Sequence, residues 1–170
     1  MDIIIRPETA ADITAIVHVH QRAFGRDNEA RLVTTLRAEN AIILALVAQV
    51  AETIAGHILF SPVTISDGAT VWPAVGLGPV AVLPEWQQQG IGSSLIRAGL
   101  AKLPALGYDL VIVLGHPDYY PRFGFRSTQP YGIRWEVDVP AEAFMLAELT
   151  PGALRGRRGL VYYHPAFAEV

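Results

Sequence analysis

The stretch from about residue 75 to 115 constrains the fold more than any other. The apolar run Trp72–Leu83 stops at Pro84, and a polar loop with three consecutive glutamines follows. Gly90–Leu103 then has helical spacing, with Leu95, Ile96, Gly99, Leu100 and Leu103 on one face and Ser93, Ser94 and Arg97 on the other. Asp109–Gly115 is apolar almost without interruption, the pattern of a strand covered on both faces by a parallel neighbour. Strand, helix and strand form a βαβ unit, whose crossover is expected to be right-handed. Pro73, Gly76, Gly78 and Pro79 interrupt the first strand and predict a bulge or a splayed edge.

The flanks fit one mixed domain over residues 1–170. Ile3–Ile5 reads as a short strand closed by Pro7. Thr9 and Asp12 have capping-box spacing before a helix that ends at Gly25. Asp27 or Asn28 can cap a second helix, with Leu32, Val33 and Leu36 inward. Ile42–Ala51 and Ile54–Ile65 read as a hairpin, Ser66-Asp67-Gly68 as a turn, and Pro117–Phe123 as a helical turn or two. Ile133–Val139, Ala143–Leu149 and Leu160–Tyr163 are terminal strands. The expected class is mixed α/β (α+β), a central mixed, splayed sheet flanked by helices.

Composition removes several function classes. Hydrophobic residues make up 51% and charged residues 17%, so the chain can bury enough apolar surface to order itself. The net charge of −3 argues against a general grip on nucleic acid or anionic membrane, and Trp72, Trp86 and Trp135 are too scattered for a base-stacking platform. There is no cysteine, hence no disulfide, thiolate metal site or cysteine nucleophile. His18 and His20 point apart on a helix, His57 and His164 have no evident ligand partner, and no metal is expected. The N-terminal run is not the pattern of a secretory leader, and no segment is long enough to span a bilayer, so a soluble cytoplasmic protein is expected. Monomer and homodimer both remain open.

The loop carries the chemistry. Gly90 and Gly92 remove side chains where the backbone must approach a ligand. The backbone N–H groups from Gln88 through Ser93, including those of Gln89 and Ile91, then converge at a helix N-terminus, which makes a phosphate cradle. A dinucleotide fingerprint would need glycine at Leu95, and a P-loop would need Gly-Lys-Ser/Thr; neither is present.

What remains, Gln87-x-x-Gly90-x-Gly92 directly after a strand, resembles the pyrophosphate loop of the GNAT N-acetyltransferases. Tyr120, four residues before Gly124-Phe125, is similar to a second element of that family. Asn28–Val33 with Leu36-Arg37, and Phe60–Val63, resemble its YhbS-like subgroup, so the likeness covers nearly the whole chain. The resemblance implies acetyl-CoA as cosubstrate, with its pantetheine arm along Val80-Ala81-Val82, and direct attack by an amine in a ternary complex. It implies a backbone N–H near Val82 for the thioester oxygen and Tyr120 as proton donor to the departing thiolate. Tyr119 reads as packing or substrate lining. Glu29 and His116 are candidate bases; Glu85 reads rather as a surface turn residue, and water alone is a further route for the proton. Arg155, Arg157 and Arg158 form a small basic cluster that reads as a solvated loop, with contact to the cofactor's phosphate end as its other reading. A non-catalytic acyl-CoA-binding module, and an acyltransferase with a hydroxyl acceptor or a longer acyl chain, are the competing readings; the acceptor itself is not legible.

Overall fold

A computed structural model describes residues 2–170. The chain forms two compact units, each assembled from separated stretches. One takes the residues up to Ser61, Gly78–Ala101 and Pro165–Val170; the other takes Pro62–Leu77 and Lys102–His164.

The first unit opens with strand β1 (Ile3–Pro7) and helices α1 (Ile13–Phe24) and α2 (Asn28–Ala38). Thr9 and Asp12 meet as their spacing predicts: the Thr9 backbone N–H and hydroxyl donate to Asp12 Oδ2 at 2.8 and 3.1 Å, ahead of a short 3-10 turn that leads into α1. Arg6 closes the corner with two hydrogen bonds to the same carboxylate, 2.8 and 3.0 Å. Gly25 ends α1 at φ 67°, a left-handed conformation that glycine adopts without a Cβ clash. Asp27 precedes α2 but does not cap it through its side chain, because its carboxylate accepts from Gln21 at 3.0 Å instead.

Arg6 and the Thr9 groups hold the Asp12 carboxyl well below the usual carboxylate range, against the opposing effect of burial. A lowered folded-state value means that the stabilisation is full above the unfolded value near 3.9 and is lost as pH falls through the folded one. Asp12→Asn is therefore expected to cost about 1.5–3 kcal/mol at pH 7. In urea titrations the gap to wild type should persist down to about pH 4 and narrow below it.

Strand β2 (Leu44–Val50) pairs antiparallel with β1 and with β3 (Thr53–Ser66), and the hairpin turns at Ala51-Glu52, with Ala51 at φ 53°. Ile16, Leu32, Val33, Leu36, Val47 and Leu59 form the core under the two helices. Strand β4 (Val71–Val82) ends in the first unit, where Ala81 and Leu83 pack with Val19 of α1. Helix α3 (Ile91–Lys102) comes next, and its Gly99 lies so close to the Phe60 ring that any Cβ there would overlap it.

In the second unit β5 (Leu110–Leu114) pairs parallel with β4, as the βαβ reading predicts, but only at Val75↔Val111 and Gly76↔Ile112. β4 runs as one strand of 12 residues, and the expected splay shows in its ladder to β5, two residue pairs long. Strand β8 (Phe144–Glu148) runs antiparallel to β5 and to β6 (Arg126–Ser127), which was not legible. The strand expected over Ile133–Val139 is only β7 (Ile133–Trp135), because Asp138 and Pro140 interrupt the chain soon after it. It pairs parallel with β9 (Gly159–Tyr162), which also joins the end of β3. Ile65, Leu110, Ile112, Phe144, Leu146 and Val161 anchor this unit's core. Parallel and antiparallel pairs together make the sheet mixed. Among the described residues no helix is long and apolar enough to cross a membrane.

Candidate active site

Beyond Leu83 the chain makes a 3-10 turn over Pro84–Trp86, and Gln87 leaves it extended. The Gln87 side chain folds back and donates to the Val82 carbonyl at 2.9 Å, pinning the loop to the strand end. Gln88 then takes φ 62° and Gly90 φ 85°. Left-handed residues set among right-handed ones turn successive N–H groups toward one side, the geometry of an anion nest. A left-handed glutamine is strained, and such strain persists only where the surroundings hold it. Gln87, Gln88, Gln89 and Gly90 are all exposed, and a Cβ added at Gly90 would meet no atom within 4 Å.

Helix α3 completes the cradle. Its first internal bond runs from the Ser94 N–H to the Gly90 carbonyl at 3.0 Å, so the Ile91 and Gly92 N–H groups have no carbonyl partner one turn back in the helix. Gly92 sits at the second helical position and is half-buried. Buried Ile91, Leu95 and Ile96 fix the helix against the core. The residues fit a phosphate-bearing ligand through backbone donors alone. Val80, Ala81 and Val82 lead into this loop, with Ala81 buried and its two neighbours half-buried.

Tyr120 lies in the second unit, on a 3-10 turn over Tyr120–Phe123 that Gly124 ends at φ 94°. The His116 carbonyl accepts from the Tyr119 and Tyr120 N–H groups at 3.1 and 3.3 Å, which fixes the turn to the end of β5. The Tyr120 ring packs edge-on against Tyr119 at 5.2 Å and against buried Phe125 at 5.7 Å. Burial pushes its phenol up to about 12, with Tyr119 adding to the shift. The hydroxyl therefore keeps its proton at neutral pH and is a donor.

Gly115 is the site residue that sequence reasoning missed. A Cβ there would run into the Tyr120 ring, so the tyrosine packs directly against the backbone where β5 ends. The only sequence signal was a glycine closing an apolar strand, which reads as a simple stop. Gly115→Ala must displace the ring. It is expected to lower turnover about tenfold to hundredfold with little change in acetyl-CoA affinity, in single-turnover and equilibrium binding measurements.

Glu29 is buried at 4% exposure in the first turn of α2, held by Arg26 through bonds of 3.0 and 2.6 Å. It is a fixed ion pair and not a solvated helix-start charge. The His116 side chain is exposed. Glu85 is exposed and paired with Arg22 at 3.2 Å. Arg157 makes a bidentate pair with Asp109, and Arg158 stands 3.9 Å from Asp67. Among the described residues no group of three or more His, Asp or Glu could hold a metal. His57 is hydrogen-bonded to His20 at 2.9 Å.

Known proteins bear on the loop and on the fold. Residues 4–128 match the family model described as an acetyltransferase (GNAT) domain. The chain is 36% identical over 165 residues to YhbS of Escherichia coli K12, an uncharacterized N-acetyltransferase, covering 96% of this chain and 98% of that one. The crystal structure of Escherichia coli YhbS in complex with CoA superimposes with a TM-score of 0.92 at 35% identity, over 98% of this chain and 92% of that one. A Brucella melitensis GNAT-family acetyltransferase in complex with acetyl-CoA gives 0.81 at 37% identity, over 98% of both chains. With the family model spanning most of the sequence and a relative 36% identical over 96% of it, the chain belongs to the GNAT family of acetyltransferases.

Proposed function

We propose that the protein is an acetyl-CoA-dependent N-acetyltransferase that passes the acetyl group directly to a primary amine of a small molecule or a protein. The observation that carries this reading is the nest at Gln88–Gly90 running into α3, in a chain so similar to proteins solved with CoA and acetyl-CoA. Gln87 anchors the loop, and the N–H groups of Gln88, Gln89, Gly90, Ile91, Gly92 and Ser93 bind the pyrophosphate. Val80, Ala81 and Val82 receive the pantetheine arm, with an N–H near Val82 for the thioester oxygen. The neutral amine attacks the thioester carbon, the C–S bond breaks, and Tyr120 gives its proton to the sulfur. A phenol held protonated by burial suits that role.

Saturating acetyl-CoA is expected to raise the melting temperature. At about 100 times its Kd the stabilisation is about 2.7 kcal/mol, or roughly 5–10 °C for a chain of this size. Amine screening with a thiol reagent should then reveal CoA release. No thermal shift removes the cosubstrate; a shift without CoA release from any amine leaves a binding module.

A further inference from the structure

Strand β1 is an open edge of the sheet. Among the described residues it pairs with β2 and with no other strand. Its centre is three consecutive isoleucines, Ile3-Ile4-Ile5, and the middle one is 55% exposed. The unpaired N–H and C=O groups of such an edge are a template for another strand, and natural edges are usually blunted by lysines, bulges or proline. Here Pro7 closes the strand, and the run before it is flat and apolar.

Ladder geometry decides which groups of β1 point outward. In an antiparallel pair, residues whose N–H and C=O face the neighbour alternate with residues whose groups face away. The Glu8 N–H donates to the Ala45 carbonyl at 3.1 Å, and the register runs unbroken from Ile3↔Val50 to Pro7↔Leu46. Ile4, Arg6 and Glu8 therefore face β2, and the backbone groups of Ile3 and Ile5 face away. Pro7 belongs to the outward set, where it breaks no bond to β2 and supplies no donor. Side chains follow the same period, so Asp2, Ile4 and Arg6 fall on one face. The Arg6 Nε–H bond of 3.0 Å to Gln49, which stands opposite Ile4, agrees with that.

We propose that β1 is the contact of a homodimer, in which it pairs antiparallel with β1 of a second copy about a two-fold axis at Ile4. Ile3 then stands opposite the partner's Ile5 and exchanges both outward hydrogen bonds with it, and the symmetry repeats the pair across the axis. Ile4 covers the partner's Ile4. Asp2 falls opposite the partner's Arg6, because Asp-Ile-Ile-Ile-Arg complements its own reverse in charge. Asp2 is exposed, and the Arg6 bonds to Gln49, Pro7 and Asp12 leave one Nη2 N–H uncommitted. Neighbouring registers are worse. An axis at Ile3 sets Ile4 against the partner's Asp2. An axis at Ile5 sets Ile4 against the partner's Arg6 and Ile3 against the partner's Pro7, which has no N–H to give. This dimer does not depend on the acetyl-transfer reading.

Sedimentation equilibrium of the wild-type protein, from about 5 μM to about 1 mM, should show monomer and dimer with a Kd of about 10–300 μM. The affinity is low because a strand pair of this length is small beside a standard interface. Ile4→Lys changes a side chain that the fold leaves exposed and sets two ammonium groups face to face at the axis, so Kd should rise at least about a hundredfold. Single cysteines read the register directly, since the chain has none of its own. Under diamide Ile4→Cys should give a disulfide-linked dimer, because facing residues of a non-bonded pair stand about 4.5 Å apart at Cα. Asp2→Cys should not, because its partner copy lies about 13 Å along the strand, beyond disulfide reach. Val71→Cys, at an exposed apolar position on β4, is the control for random collision and should stay monomeric. A wild-type protein that is monomeric at about 1 mM overturns the proposal, as does a dimer that persists in Ile4→Lys. Cross-linking of Asp2→Cys or Val71→Cys as fast as Ile4→Cys overturns it too.

Discussion

Tyr120→Phe is expected to lower the turnover rate by about 10²–10⁴-fold, the usual range for loss of a general acid. The substitution keeps the ring, and the ring holds the turn through its packing on Tyr119 and Phe125. Only the hydroxyl is lost. If that hydroxyl protonates the leaving sulfur, its interaction is made chiefly in the transition state, so kcat falls while acetyl-CoA affinity stays within about twofold. Tyr119→Phe is the control. Tyr119 lies under the Arg122 guanidinium, 4.6 Å from the ring centre, an arrangement that needs the ring and not the hydroxyl. Its loss of hydroxyl should cost less than about fivefold, far below a general-acid effect. Stopped-flow CoA release with a screened amine decides the matter. Near-wild-type turnover in Tyr120→Phe rules out the acid, and a large loss in Tyr119→Phe alone moves the role to its neighbour.

Much of this was legible because local chemistry repeats in tertiary structure. The capping spacing of Thr9 and Asp12, the αL glycine at position 25 and the apolar face of α3 each settled within about a residue of where they were read. The uninterrupted apolar run before Gly115 pointed correctly to a buried strand with a parallel neighbour. What stayed hidden depends on residues distant in sequence. His20 and His57 are 37 positions apart, and no periodicity links a helix position to a strand position. Glu29 carries the composition of a solvated helix start, and only packing shows it buried with Arg26. Strand β6 is two residues long, too short for alternation to register, and β7 keeps only the first three residues of the longer strand expected from Ile133. Gly115 looked like a terminator because its reason, the Tyr120 ring above it, lies in the next turn.

Gly92→Asp is expected to abolish CoA and acetyl-CoA binding while leaving the fold intact. Gly92 is the second residue of α3, beside the nest made by Gln88 and Gly90. A carboxylate at the second helical position is favourable to the helix itself, worth about 0.3–1 kcal/mol through the dipole. The substitution also removes a glycine from the helix's first turn and with it some unfolded-state freedom, which works in the same direction. Melting temperature should therefore hold or rise, in contrast to an ordinary disruptive change. The ligand suffers the opposite effect. The new charge satisfies the N–H groups that would otherwise bind the pyrophosphate, and it repels a ligand that carries several negative charges. Calorimetry should show at least a hundredfold weaker binding, about 2.7 kcal/mol or more. Gly92→Asn separates the causes, since it has nearly the same bulk and no charge. If repulsion dominates, Asn retains most of the affinity and the Asp defect eases as salt rises; if close backbone approach dominates, both variants fail equally at every ionic strength. Unchanged affinity in a folded Gly92→Asp protein would mean that the phosphates do not sit at the start of α3, and the cradle assigned to Gln88–Ser93 would have to be abandoned.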